Sequence, residues 1–144
     1  MDHAHQPVLQ TSRHVNKVMA IRIGDASLVA YVRHAVREAL RAWDLSELAD
    51  TVVLVASELV GNALRHGKTT EIPVRLTIDG SNVVLEVADD SDVEPSVEAT
   101  GAEDEDGRGL LLVAALADAW GSEPRDGGGK SVWARFAADV GGAA

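Results

Sequence analysis

The sequence contains no cysteine, which excludes disulfides and thiolate metal sites and fits a reducing compartment. Aromatic residues make up only 3% of it, so valine, leucine and alanine must fill the interior. No apolar run approaches the ~20 residues needed to span a bilayer as a helix. The N-terminus MDHAHQPVLQ lacks the basic segment followed by a hydrophobic one that marks a secretion signal. A cytoplasmic protein without membrane contact is therefore expected. Basic residues are missing from one region altogether. Between Asp89 and Asp106 there are nine acids and no lysine or arginine. Without those nine, the net charge of −10 shrinks to 14 acids against 13 bases. The body is near neutral, so direct nucleic-acid binding through a general basic surface is not expected.

What is present suits one domain. The chain has 144 residues, 46% of them apolar. A domain of this size buries roughly 70% of its unfolded surface, enough for a core without staples. Residues 1–12 read as a flexible leader, 13–138 as the domain and 139–144 as a flexible tail. His14 to Ile23 alternates imperfectly and reads as a strand. Leu28, Val32, Ala35, Ala39 and Trp43 follow at helical spacing, with Arg33, Arg37 and Arg41 on the outer side. This helix is expected to end near Asp44. Ser46 reads as the cap of a second helix with Leu48, Val52, Val55, Leu59 and Ala63 on its buried stripe, stopped by Gly67. Two strands follow, Pro73 to Asp79 and Val83 to Ala88, joined by a hairpin turn. The acidic stretch 89–106 reads as a long loop. Leu110 to Ala119 reads as a buried helix, Trp120 to Glu123 and Lys130 to Phe136 as closing strands. Strands and helices do not alternate regularly. The fold class expected is α+β, a two-layer sandwich with a mixed, mainly antiparallel sheet and helices on one face.

The stretch SELVGNALRHG puts Glu58, Asn62 and His66 four residues apart on the second helix. Residues at that spacing lie nearly above one another. The line borders the apolar stripe, so Glu58 and Asn62 are placed at a cleft edge. A carboxylate there can act as a general base, and an amide oxygen can coordinate a hard cation such as Mg²⁺. Gly61 costs the helix about 1 kcal/mol relative to alanine, which close approach of backbone or ligand would offset. Taken alone, the same line also describes a solvated helix face with a tolerated glycine. Asp89 ends a strand, where a carboxylate can accept a hydrogen bond from an amine such as the exocyclic group of adenine. An isolated Asp at a strand end is more often a turn residue. Gly107-Arg108-Gly109 precedes a helix, and backbone N–H groups at a helix start favour an anion. Neither a Walker loop nor a dinucleotide fingerprint is present. The acidic loop fails as a calcium loop: counted from Asp90, its sixth position is Pro95 and its twelfth Gly101. The five histidines have no zinc-ligand spacing. Ser57, Ser91 and Ser131 lack a nucleophile-elbow context.

The order of these signals over residues 14 to 137 resembles the GHKL superfamily of Bergerat-fold ATP-binding domains. It is most similar to bacterial anti-sigma-factor serine/threonine kinases and their actinobacterial single-domain relatives. SELVGNALRHG resembles their N-box, VADDSDVEP their first glycine box, DGRGLLLVAALADAWG their second, and GGKSVWARF their last strand. The resemblance implies ATP and Mg²⁺ as cofactors. It implies Glu58 as the base, Asn62 as the Mg²⁺ ligand, and Asp89 as the adenine contact supported by Ser131. Gly107, Arg108 and Gly109 would touch phosphates, His66 would lie near the nucleotide without a catalytic role, and 90–106 would form the lid. The superfamily's D-x-G-x-G reads Asp89-Asp90-Ser91-Asp92-Val93 here. Both glycines are replaced, with Ser91, as in some relatives, at the first. The implied function is an ATP-dependent serine/threonine protein kinase that sequesters a sigma factor and phosphorylates a small antagonist protein. Homodimers are usual for the family. The alternative is a nucleotide-responsive protein-binding module of the same fold without kinase activity.

Overall fold

The computed structural model describes residues 8–10, 17–23, 28–66, 72–91 and 105–138. At 8–10, 17–23, 28, 66 and 105–108 the description extends to the backbone alone. The elements run β1 (Val8–Gln10), β2 (Lys17–Ile23), α1 (Leu28–Ala42), a 3-10 turn (Ser46–Leu48), α2 (Ala49–His66), β3 (Ile72–Asp79), β4 (Asn82–Asp89), α3 (Glu105–Leu116), β5 (Ala119–Pro124) and β6 (Lys130–Ala137). Six strands form one sheet in the order β1-β2-β3-β4-β6-β5, and every pairing is antiparallel. The α+β expectation is met.

Strand alternation separates two layers. Ile72, Val74, Leu76 and Ile78 of β3, Val83, Leu85 and Val87 of β4, and Val132, Ala134 and Phe136 of β6 join one core with the helices. Within it, α1 contributes Val32, Ala35, Val36, Ala39 and Leu40, and α2 contributes Val52, Val53, Val55, Ala56, Leu59, Val60 and Ala63. Arg33, Arg37 and Arg41 are exposed, as the helical period requires. The sheet's other face carries half-buried and exposed residues such as Arg75, Glu86, Trp133 and Arg135.

Helix α1 ends in a Schellman motif. Leu45 N–H donates to Leu40 C=O at 2.7 Å and Asp44 N–H to Arg41 C=O at 3.0 Å. Asp44 takes the left-handed conformation, φ 64°, that glycine usually supplies. Leu40 and Leu45, the two ends of the wider of these turns, are both in the core.

Four expectations are corrected. Val8–Gln10, inside the presumed leader, pairs with Val18–Ala20. Ser46 begins a 3-10 turn, and its cap position, Leu45, has no side-chain capping bond, so Ser46 is not the cap of α2. The β3–β4 hairpin closes on Gly80-Ser81 alone, because Asp79 pairs with Asn82. Helix α3 begins at Glu105, so Gly107, Arg108 and Gly109 lie inside its first turns rather than before it. Residues 92–104, which hold most of the acidic loop, and Gly67 lie outside the described residues.

Candidate functional site

Helix α2 is the central element of the helix layer, in contact with α1, α3, β3, β4 and β6. Its stripe is buried at Leu59, Val60 and Ala63, while Glu58 and Asn62 are half-buried at the border. Ser57 is satisfied within the helix, its hydroxyl donating to Val53 C=O at 3.0 Å. Glu58 reaches α3. A Cβ added at Gly109 would collide with the Glu58 carboxylate, so a side chain at 109 would displace that carboxylate from its place beside α3. Gly61 is different: a methyl there would meet only the Arg65 guanidinium, at 3.5 Å. Among the described residues, no backbone beyond its own helix approaches Gly61 closely, whereas Gly109 lies directly against Glu58. The Asn62 amide oxygen accepts a hydrogen bond from Arg65 one turn on. His66 is the last residue of α2 and its side chain, like that of Arg108, lies outside the described residues.

A second polar group is built where β4 and β6 end together. Asp89 and Lys130 are register partners, so their side chains share one sheet face. That face is the helix face, because the partners Val87 and Val132 two residues away belong to the core. Both side chains are 8% exposed, with Lys130 Nζ 3.5 Å from Asp89 Oδ2. The other carboxylate oxygen, Oδ1, accepts the Ser91 N–H at 2.8 Å. Lys130 Nζ donates to Ser91 C=O at 3.0 Å. The corner is packed by Gly129, φ 79°, where a Cβ would stand 2.6 Å from Asp89 O and 2.7 Å from Asp90 Cα. Ser91 is buried and sits over the pair. Ser131 pairs with Ala88, so alternation puts its side chain on the opposite sheet face, with Trp133.

Among the sequence-derived site residues, the structure brings Glu58 against Gly109, and Asp89 against Ser91. Lys130 and Gly129 were not among them. Their signal was the cross-strand register, which single-chain spacing does not carry. A shallow groove of about 340 Å³ on the other sheet face, lined by Asp79, Glu86, Glu123, Trp133 and Arg135 among others, contains none of the expected site residues.

Residues 24–136 match the family model of the histidine kinase-like ATPase domain. The chain belongs to that family. Among solved structures, the fold is similar to a chain of the SiaB–SiaC complex from Pseudomonas aeruginosa, with a TM-score of 0.64 at 16% identity. The alignment covers 81% of this chain and 88% of that one. No curated protein sequence matches this chain. For a histidine kinase-like ATPase domain the expected ligand is a nucleotide, usually with Mg²⁺, and the donor set here fits one. Asp89 is a buried carboxylate with one oxygen anchored by a backbone N–H, and Gly109 opens α3 toward Glu58. No group of three or more acidic, histidine or cysteine side chains that could hold a metal occurs among the described residues. No helix among the described residues is long and apolar enough to cross a membrane.

Proposed function

We propose that this domain is an ATP-dependent serine/threonine protein kinase of the anti-sigma-factor type. The observation that carries the reading is the Glu58–Gly109 contact, which supports a base placed beside the phosphate-facing helix. Bound ATP would supply the γ-phosphoryl group and leave as ADP, and Mg²⁺ held at the site would neutralise the phosphate charge. Glu58 takes the proton of an incoming serine or threonine hydroxyl. Asn62 holds the metal once its oxygen exchanges the Arg65 guanidinium for it. Asp89 accepts a hydrogen bond from the adenine amino group, with Ser91 fixing the carboxylate. Gly107, Arg108 and Gly109 receive the phosphates at the start of α3, where the helix dipole favours an anion. His66 lies near the nucleotide. Ser131 takes part through its backbone beside Lys130, since its side chain is on the far face.

The substrate is a small antagonist protein, and a sigma factor is the sequestered partner. The similar fold within a two-protein complex supports a role carried out on a partner. Incubation with Mg²⁺-ATP and a candidate antagonist tests the proposal. Phosphotransfer to a serine or threonine is expected, falling about 10²- to 10⁴-fold in Glu58→Ala. The second reading, a nucleotide-responsive binding module, is favoured by Ser91 and Val93 in place of the glycines of the first box. It predicts nucleotide-dependent partner binding that Glu58→Ala leaves unchanged, with no phosphotransfer.

A further inference from the structure

We infer that Lys130 is a positioning residue that makes Asp89 selective for a 6-amino purine. The inference rests on the nucleotide reading of Asp89. A carboxylate buried beneath the helix layer carries a charge that water cannot solvate, and such a charge needs a partner. Lys130 supplies it from the directly opposite position of the neighbouring strand. The distance is what gives the pair its use. At 3.5 Å, Nζ to Oδ2 is an ion pair but lies beyond ordinary hydrogen-bond length. The ammonium directs its hydrogen bond to Ser91 C=O instead, at 3.0 Å. Oδ1 is occupied by the Ser91 N–H. Oδ2 therefore has its charge compensated while a lone pair stays available to an outside donor.

The same lysine ties down the corner. Ser91 is held from both sides, its N–H by Asp89 and its C=O by Lys130. The carboxylate therefore cannot swing without moving Ser91 and Lys130 with it. An N–H₂ group, as on C6 of adenine, matches a fixed anionic acceptor. The C6 carbonyl of hypoxanthine presents an acceptor to an acceptor and is rejected. Without Lys130, Ser91 C=O loses its donor and Oδ2 loses its fixed neighbour, so the carboxylate is free to turn and no longer presents one fixed acceptor to the base edge. Lys130 thus sets which base edge is read without being required to touch the base.

The test compares ATP with inosine triphosphate by calorimetric titration of the full chain, wild type, Lys130→Met and Lys130→Arg. Wild type is expected to favour ATP by about tenfold to a hundredfold, the discrimination typical of one hydrogen bond to a charged group. Lys130→Met should bring the two nucleotides within about threefold of each other, and Lys130→Arg should restore part of the preference. A purely structural lysine would weaken both nucleotides alike. Lys130→Gln replaces the methionine variant if that one does not fold, as judged by circular dichroism. Wild-type discrimination that persists in a folded neutral variant overturns the role of Lys130 and leaves Asp89 as the adenine contact. Wild type that binds neither nucleotide overturns the nucleotide reading, and this inference falls with it.

Discussion

The β4–β6 ladder differs sharply between its two ends. On the helix-facing side, Val83–Phe136, Leu85–Ala134 and Val87–Val132 are successive apolar pairs in the core. The next pair on the same face, equally buried, is Asp89–Lys130. The apolar pairs need no explanation beyond removal of surface from water. The ionic pair does, because desolvating two charges offsets much of their attraction, and a well-packed apolar pair is often as stable or more so. Stability alone therefore does not account for the charged end. Under the proposed function, the charged end serves to present an anion to a ligand.

The comparison breaks most visibly under truncation at the apolar end. Leu85→Ala should cost about 2–5 kcal/mol in denaturant unfolding, while the ATP-to-inosine-triphosphate preference per folded molecule stays unchanged. Replacing the charged pair by Asp89→Leu with Lys130→Met should leave stability unchanged or raise it by about 1–4 kcal/mol, yet abolish nucleotide binding. A large loss of stability in that double variant would mean the pair is structural. Gly129→Ala sharpens the contrast at lower cost. It forces a side chain into a left-handed residue and against the backbone of Asp89 and Asp90, so a loss of at least about 1–3 kcal/mol is expected from the backbone strain alone. Unchanged melting and nucleotide affinity would show that the corner is loose. The smallest effect belongs to Arg37, whose ion pair with Asp50 at 2.9 Å joins α1 to α2 on the surface. Arg37→Ala should change stability by less than about 1 kcal/mol, with none left at high salt.

The same division explains what could be read in advance. Period governs the elements with one buried face. Val32, Ala35 and Ala39 placed α1, and Val52, Val55, Leu59 and Ala63 placed α2, because one stripe meets the core. Strand alternation placed β3, β4 and β6 to within a residue at either end. Three-residue β1 carries no period of its own and exists through its pairing with β2. The start of α3 was misplaced because Gly107 and Gly109 are poor helix formers. Tertiary contact overrides that preference, since α3 packs on α2 with Gly109 against Glu58.

Site residues divide in the same way. Glu58 and Asn62 share a helix line, and Asp89 ends a strand, so local spacing is enough to single out all three as candidates. The partnership of Asp89 with Lys130 spans two strands joined through α3 and β5, and only the register reveals it. The resemblance points to Ser131, the neighbour of Lys130, as the supporting side chain. A shift of one residue along a strand turns the side chain to the other face. The packing of Gly109 against Glu58 joins two helices far apart in sequence, which a local sequence window does not contain.

The central claim is that the carboxylate ending β4 and the polar edge of α2 serve one nucleotide. Calorimetric titration of wild type and Asp89→Ala with Mg²⁺-ATP tests it most directly. A saturable one-to-one heat in wild type, weakened about tenfold or more in Asp89→Ala, is the predicted result. Equal affinity in the two proteins, or no heat from wild type at millimolar nucleotide, would contradict the account.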